Sequence, residues 1–71
     1  MENNKHEPMI YGYVARDFDG TIRFFQVEPK RAGKRWFDRD YASIVLNEWD
    51  FPEITWDFEP VMVKMVVKKI E

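Results

Sequence analysis

The 71-residue chain has no cysteine, one histidine, one serine and three isolated glycines. Each shortage removes a class of chemistry. Without cysteine there is no disulfide staple, no thiolate nucleophile and no soft metal ligand; a reducing compartment suits such a chain. His6 sits in a polar leading segment beside Glu7 and Pro8, where a held acid–base or metal geometry is not expected. Ser43 has no partner base at hand, so the nucleophile–base pairing of covalent catalysis is missing. Gly12, Gly20 and Gly33 stand apart, so no glycine-rich phosphate loop exists. Apolar runs stop at three residues, as in Val61-Met62-Val63, far short of the roughly 20 that a bilayer span needs. Residues 1–8 carry no basic stretch followed by an apolar one, so no signal peptide is expected. The expectation is a cytoplasmic protein with no membrane partner, no metal, no cofactor and no enzymatic activity. The carboxylate couples Asp38/Asp40 and Asp57/Glu59 would need a cleft to shift their titration, which a chain this short rarely builds.

What the chain does have is rings: six Phe, three Trp and three Tyr. A domain this small buries roughly 60% of the surface of its unfolded chain. One buried aromatic removes roughly 150–250 Å² from water. Most rings are therefore expected in the core, leaving a charged rim for recognition.

The pattern along the chain is that of one small, mostly β domain over residues 9–71, a small antiparallel sheet or meander of three to five strands, after a disordered tail over 1–8. Residues 9–16 alternate, with Met9, Tyr11, Tyr13 and Ala15 on one face and Ile10, Gly12, Val14 and Arg16 on the other. Asp19-Gly20 signals a hairpin, with the return strand over 21–28. A two-residue loop would set Arg16 against Arg23, an unfavourable like-charge pair. A three-residue loop with Gly20 in the left-handed region instead pairs Tyr13 with Phe25 and Val14 with Phe24. Asp17, Asp19 and Gly20 also match the middle of a calcium loop, but Ala15 and Gln26 stand where its end carboxylates belong, so the segment reads as a turn.

Pro29 ends the second strand, and residues 30–34 read as a basic loop bent at Gly33. Residues 41–46 fit a short strand, and one short helix around 38–49 is the competing reading, which would make the fold α+β. Residues 47–60 read as an ordered aromatic connection with a short extended piece at 53–56. Residues 61–70 form the clearest strand: Val61, Val63, Met65 and Val67 face the core, and Met62, Lys64, Val66, Lys68 and Ile70 face away.

The net charge of −2 hides a strong segregation. Residues 28–39 carry five bases against two acids; residues 48–59 carry five acids and no base; residues 61–71 carry three lysines against one glutamate. Such blocks orient a partner or make a self-complementary contact between two copies. Lys30, Arg31, Lys34 and Arg35, with Trp36 or Phe37 to stack on a base, form the nucleic-acid candidate. The sequence pI near 5.4 argues against a dedicated binder. Trp49, Phe51, Trp56 and Phe58 interleaved with Glu48, Asp50, Glu53, Asp57 and Glu59 form the protein-binding candidate. The competing expectation is that these rings close the end of the sheet and leave only the carboxylates outside.

Several of these segments carry a resemblance: Ala15-Arg16-Asp17-x-Asp19-Gly20, Phe24-Phe25, Pro29-Lys30-Arg31, Trp36, residues 51–56 as Phe-Pro-Glu-Ile-Thr-Trp, Glu59-Pro60 and the closing Val/Lys strand. In that order they resemble small uncharacterised proteins of gut Bacteroides-type bacteria and their prophages or mobile elements. The resemblance implies an accessory protein of a bacterial or phage genome and brings no catalytic residues. The combined reading is a protein-interaction module binding an unknown protein partner through Trp36, Trp49, Phe51, Trp56, Asp57 and Glu59, with a homodimer through a strand edge as a further candidate. Weak nucleic-acid binding through Lys30, Arg31, Lys34, Arg35 and Trp36, within residues 30–39, is the alternative.

Overall fold

Alternating side chains build a sheet that is mostly β and antiparallel throughout. The computed structural model describes residues 8–38 and 43–70. Among these residues six strands run in chain order: β1 (Met9–Arg16), β2 (Ile22–Phe25), β3 (Lys30–Ala32), β4 (Arg35–Phe37), β5 (Ile44–Val45) and β6 (Val61–Val66). A four-stranded sheet has the order β5-β2-β1-β6, and β3-β4 forms a separate two-stranded sheet. No helix is present among the described residues. Residues 43–49 form β5 and a turn rather than part of a helix. Of the strand expected over 41–46, residues 44–45 are strand, and 41–42 lie outside the described residues.

The first hairpin adopts the three-residue loop. Tyr13 pairs with Phe25, Val14 with Phe24, and Ala15 rather than Arg16 lies opposite Arg23. Asp17 N–H donates to the Thr21 carbonyl at 2.8 Å and Gly20 N–H to the Asp17 carbonyl at 3.0 Å. Gly20 sits at φ 99°, where a side chain would be strained. The Asp19 carboxylate accepts Thr21 N–H at 2.9 Å, and that bond holds its pKa below the usual value.

Two faces follow from the pairing. The front buries Val14, Ile22 and Phe24, with Ile10, Val61, Val63 and Met65 packed against them. Ile54, from the long connection, closes this face together with Leu46. The back buries Ala15 and Phe25 under Trp36, with Trp56 alongside. β6 keeps its expected alternation from Val61 to Met65 but ends at Val66, and Val67 lies exposed past its end. The return strand is also shorter than 21–28, since residues 26–27 bend toward Pro29.

The basic stretch is a hairpin, not a loop. Lys30 pairs with Phe37, Arg31 with Trp36 and Ala32 with Arg35. Gly33 has φ 62° and Lys34 does not share that sign, the pattern of a type II′ turn with glycine first. Residue 39 of the basic region lies outside the described residues. Residues 53–56 turn rather than extend: Ile54 N–H reaches the Phe51 carbonyl at 2.9 Å and Phe58 N–H the Thr55 carbonyl at 3.1 Å.

Gly12 lies on the front face, between Ile10 and Val14. A Cβ there would run into the Phe25 carbonyl oxygen and lie 2.5 Å from the Phe24 ring. Gly12→Ala should therefore cost about 1–3 kcal/mol by overpacking, read as a lower urea midpoint at unchanged slope. Gly20→Ala, with open space around it, should cost only the left-handed backbone penalty, about 1–2 kcal/mol. An unchanged midpoint for Gly12→Ala would mean that the Phe24 ring does not need that gap.

Candidate functional site

The two aromatic candidates are organised by adjacent charged residues at the end of β1. Because alternate residues of a strand face opposite ways, Arg16 projects to the front and Asp17 to the back. Arg16 spends its guanidinium on backbone carbonyls. Nε donates to Ile54 O at 2.6 Å, and Nη1 to Gly20 O at 2.7 Å and Glu48 O at 3.4 Å. Nη2 donates to Asp50 O at 3.1 Å and Phe51 O at 3.2 Å. One fork of fixed geometry thus holds the first half of the 47–60 connection against the hairpin tip. Asn47 adds a local cap, accepting Trp49 N–H at its Oδ1 at 2.8 Å. Phe51 is held at φ 55°, a left-handed conformation uncommon for a non-glycine residue.

Asp17 is 2% exposed. Its Oδ2 accepts Arg23 Nε at 2.9 Å, and its Oδ1 accepts the backbone N–H of Trp36 at 2.8 Å. Trp36 Nε1 donates to Arg16 O at 3.1 Å, and Phe18 N–H donates to Lys34 O at 3.0 Å. The second hairpin is therefore docked by polar bonds at its centre, with Trp36 as the apolar plug.

Arg31 lies between two indoles. Its guanidinium carbon is 4.4 Å from the Trp36 ring centre and 4.1 Å from that of Trp56, and Nη1 donates to Trp56 O at 3.1 Å. Phe18 meets Trp56 edge-on at 6.0 Å, and Lys34 Nζ sits 4.9 Å from the Phe18 ring centre. These contacts tie the second half of the connection to the back face.

The sequence candidates consequently separate. Trp36 is buried and cannot stack on a base or anchor a partner. Trp56 is half-buried against it. The expectation that the acidic segment's rings close the end of the sheet holds for Trp56 alone. Trp49 is 78% exposed, and Phe51 and Phe58 also face solvent, as do Asp57 and Glu59. The broader expectation of rings spent on the core is likewise overturned. Only Phe24, Phe25 and Trp36 are fully buried among the described residues, whereas Tyr11, Phe18 and Phe37 are exposed. Aliphatic Val14, Ile22 and Ile54 carry the front face instead.

Within the basic candidate, Arg31 is committed to the Trp36–Trp56 stack. Lys30, Ala32, Arg35 and Phe37 line the outer side of the hairpin, by their pairing, and all are exposed. Phe37, not Trp36, is the available ring. Among the described residues no three His, Cys, Asp or Glu side chains converge as metal ligands.

Arg16 and Asp17 were invisible as organisers from sequence reasoning. The available signal was a charged residue, Arg16, continuing the otherwise apolar alternation of Ile10 and Val14. Arg16→Lys keeps the charge but loses the fork, and should cost about 1.5–3 kcal/mol in chemical unfolding. Asp17→Ala strands a buried N–H and the Arg23 cation, for a loss of about 3 kcal/mol. Asp17→Asn, which retains an acceptor for Trp36, should fall between that variant and the parent. Equal losses for Asp17→Asn and Asp17→Ala would show that the ion pair alone matters.

The chain matches no family model, no curated protein and no solved structure.

Proposed function

We propose that the chain is a small, non-enzymatic protein-interaction module, an accessory factor whose binding surface is the acidic aromatic connection over residues 47–59. The observation that carries this reading is Trp49, 78% exposed on a backbone pinned by Arg16. A tryptophan left in water forgoes a large part of the burial available to a small fold. On a pinned loop it loses little further freedom when a partner covers it, which is the condition for a binding hot spot. Glu48 and Asp50 flank it in sequence, and the segment carries Glu53, Asp57 and Glu59 further on with no compensating base. The partner that fits is a protein surface with an apolar pocket and a basic rim.

A second reading rests on the outer face of the second hairpin, where Lys30 and Arg35 flank the exposed Phe37. That arrangement suits a single strand of nucleic acid, with phosphates on the cations and a base on the ring.

A displayed peptide library selected on the parent protein separates the two. Enriched peptides should be basic, and Trp49→Ala should weaken them by at least about tenfold while Phe37→Ala leaves them unchanged. Enrichment that is indifferent to Trp49→Ala would sink the proposal. Single-stranded DNA binding at low salt that is lost with Phe37→Ala and Lys30→Glu would favour the second reading.

A further inference from the structure

The free edge of β6 points to a second copy of this chain, and we propose that the protein self-associates by antiparallel β6–β6 pairing. The backbone groups available can be read from one bond. Val67 N–H donates to Pro8 O at 3.0 Å, so residues 8 and 67 are a hydrogen-bonded pair in the β1–β6 register. In an antiparallel ladder such pairs recur at every second residue. Val61, Val63 and Met65 therefore bond to β1, and Met62, Lys64 and Val66 turn their N–H and C=O groups outward. β6 is the last strand of its sheet, so among the described residues this row has no strand beside it.

The side chains on that row are apolar around one cation. Met62 is 69% and Val66 43% exposed, beside the exposed Tyr11 and Met9 of β1. A six-residue edge with this surface is a template for another strand. The second hairpin covers the Ala15–Phe25 end of the same face and leaves this end open.

Charge selects the occupant. The chain entering β6 is acidic, with Asp57 and Glu59, and the chain within and beyond it is basic, with Lys64 and Lys69. An antiparallel copy lays each acidic flank beside the other's basic flank; a parallel copy would set like on like. A lone edge lysine normally guards against pairing, and it also fixes the register here. With the twofold axis between the two Val63 residues, Lys64 lies opposite Met62 of the second copy and its stem covers the thioether. The register that centres on Lys64 stacks the two ammonium groups and is excluded. The contact is short of the roughly 1,200 Å² that stable interfaces bury, so the dimer is weak and concentration-dependent.

Sedimentation of the full chain from micromolar to millimolar protein should show a monomer–dimer equilibrium that weakens with added salt. Lys64→Pro removes an outward N–H and spares the β1 ladder, so dimerisation should be lost with the fold retained by circular dichroism. Lys69→Glu should weaken the dimer about tenfold, since symmetry counts each pair twice, and the further change Asp57→Lys should restore it. In the unaltered chain, amide exchange should slow with concentration at Met62, Lys64 and Val66 and not at Val63 or Met65. A monomer throughout, a dimer indifferent to Lys64→Pro, or protection at other amides would overturn the proposal. Loss of the dimer in Trp49→Ala would also overturn it, by moving the contact to the acidic connection.

Discussion

The rest of the structure depends on two successive charged residues leaving one strand on opposite sides. Arg16 and Asp17 stand where β1 ends, and the pleat sends one to each face of the sheet. Arg16 collects carbonyls from the hairpin tip and from four residues of the long connection. Asp17 collects the Arg23 guanidinium and the backbone N–H of Trp36. Neither covering element has enough regular structure to satisfy its own backbone. The connection has no strand or helix, and β4 is three residues long. Buried carbonyl and N–H groups left unpaired are costly, and here side chains supply the partners that secondary structure would otherwise supply.

This division of labour explains where the rings end up. The apolar positions of both faces are filled by a few residues from β1, β2 and β6, plus one plug for each face, Ile54 in front and Trp36 behind. Once those two plugs are seated, the remaining aromatics have nowhere to go. Some find intermediate work: Trp56 closes over Arg31, and Phe18 meets Trp56 at its edge. Trp49 finds none and stays in water. The same geometry decides the fate of the cations. Arg31 lies on the inner side of its hairpin because it pairs with Trp36. A guanidinium can be covered by aromatic faces where an ammonium would lose too much hydration.

What was legible in the sequence was whatever a period of two and a turn rule decide. The register of the first hairpin followed from the wish to keep Arg16 from Arg23, and the pairing of Tyr13 with Phe25 agrees with it. The inward set Val61, Val63 and Met65 followed from alternation alone. The second hairpin was not legible, because a three-residue strand is too short to show a period and Lys30, Arg31, Lys34 and Arg35 look like a solvated loop. Its Gly33-Lys34 turn carried the signal, and reading it would have set Trp36 opposite Arg31 and Phe37 opposite Lys30, on opposite sides of the hairpin. The binding candidates were legible as a segment but not residue by residue. Composition cannot say which of Trp49, Phe51, Trp56 and Phe58 a three-dimensional connection turns inward. The long-range bonds of Arg16, to residues more than thirty positions away, leave no trace in any local window.

The two proposed surfaces draw on different physics, and that difference keeps them separable. At the connection, affinity would come from a side chain: an indole already exposed, on a backbone already fixed, so binding would gain apolar area without paying again for order. At β6, affinity would come from main-chain bonds, with side chains serving chiefly to choose register and direction. What they share is the acidic segment. Asp57 and Glu59 lie at its far end, next to β6, whereas Glu48 and Asp50 flank Trp49 at its start. Exposed charges further apart than a Debye length of about 8 Å are largely screened at physiological ionic strength. A change in ionic strength would loosen contacts at both surfaces, whereas removal of the indole would loosen only the first.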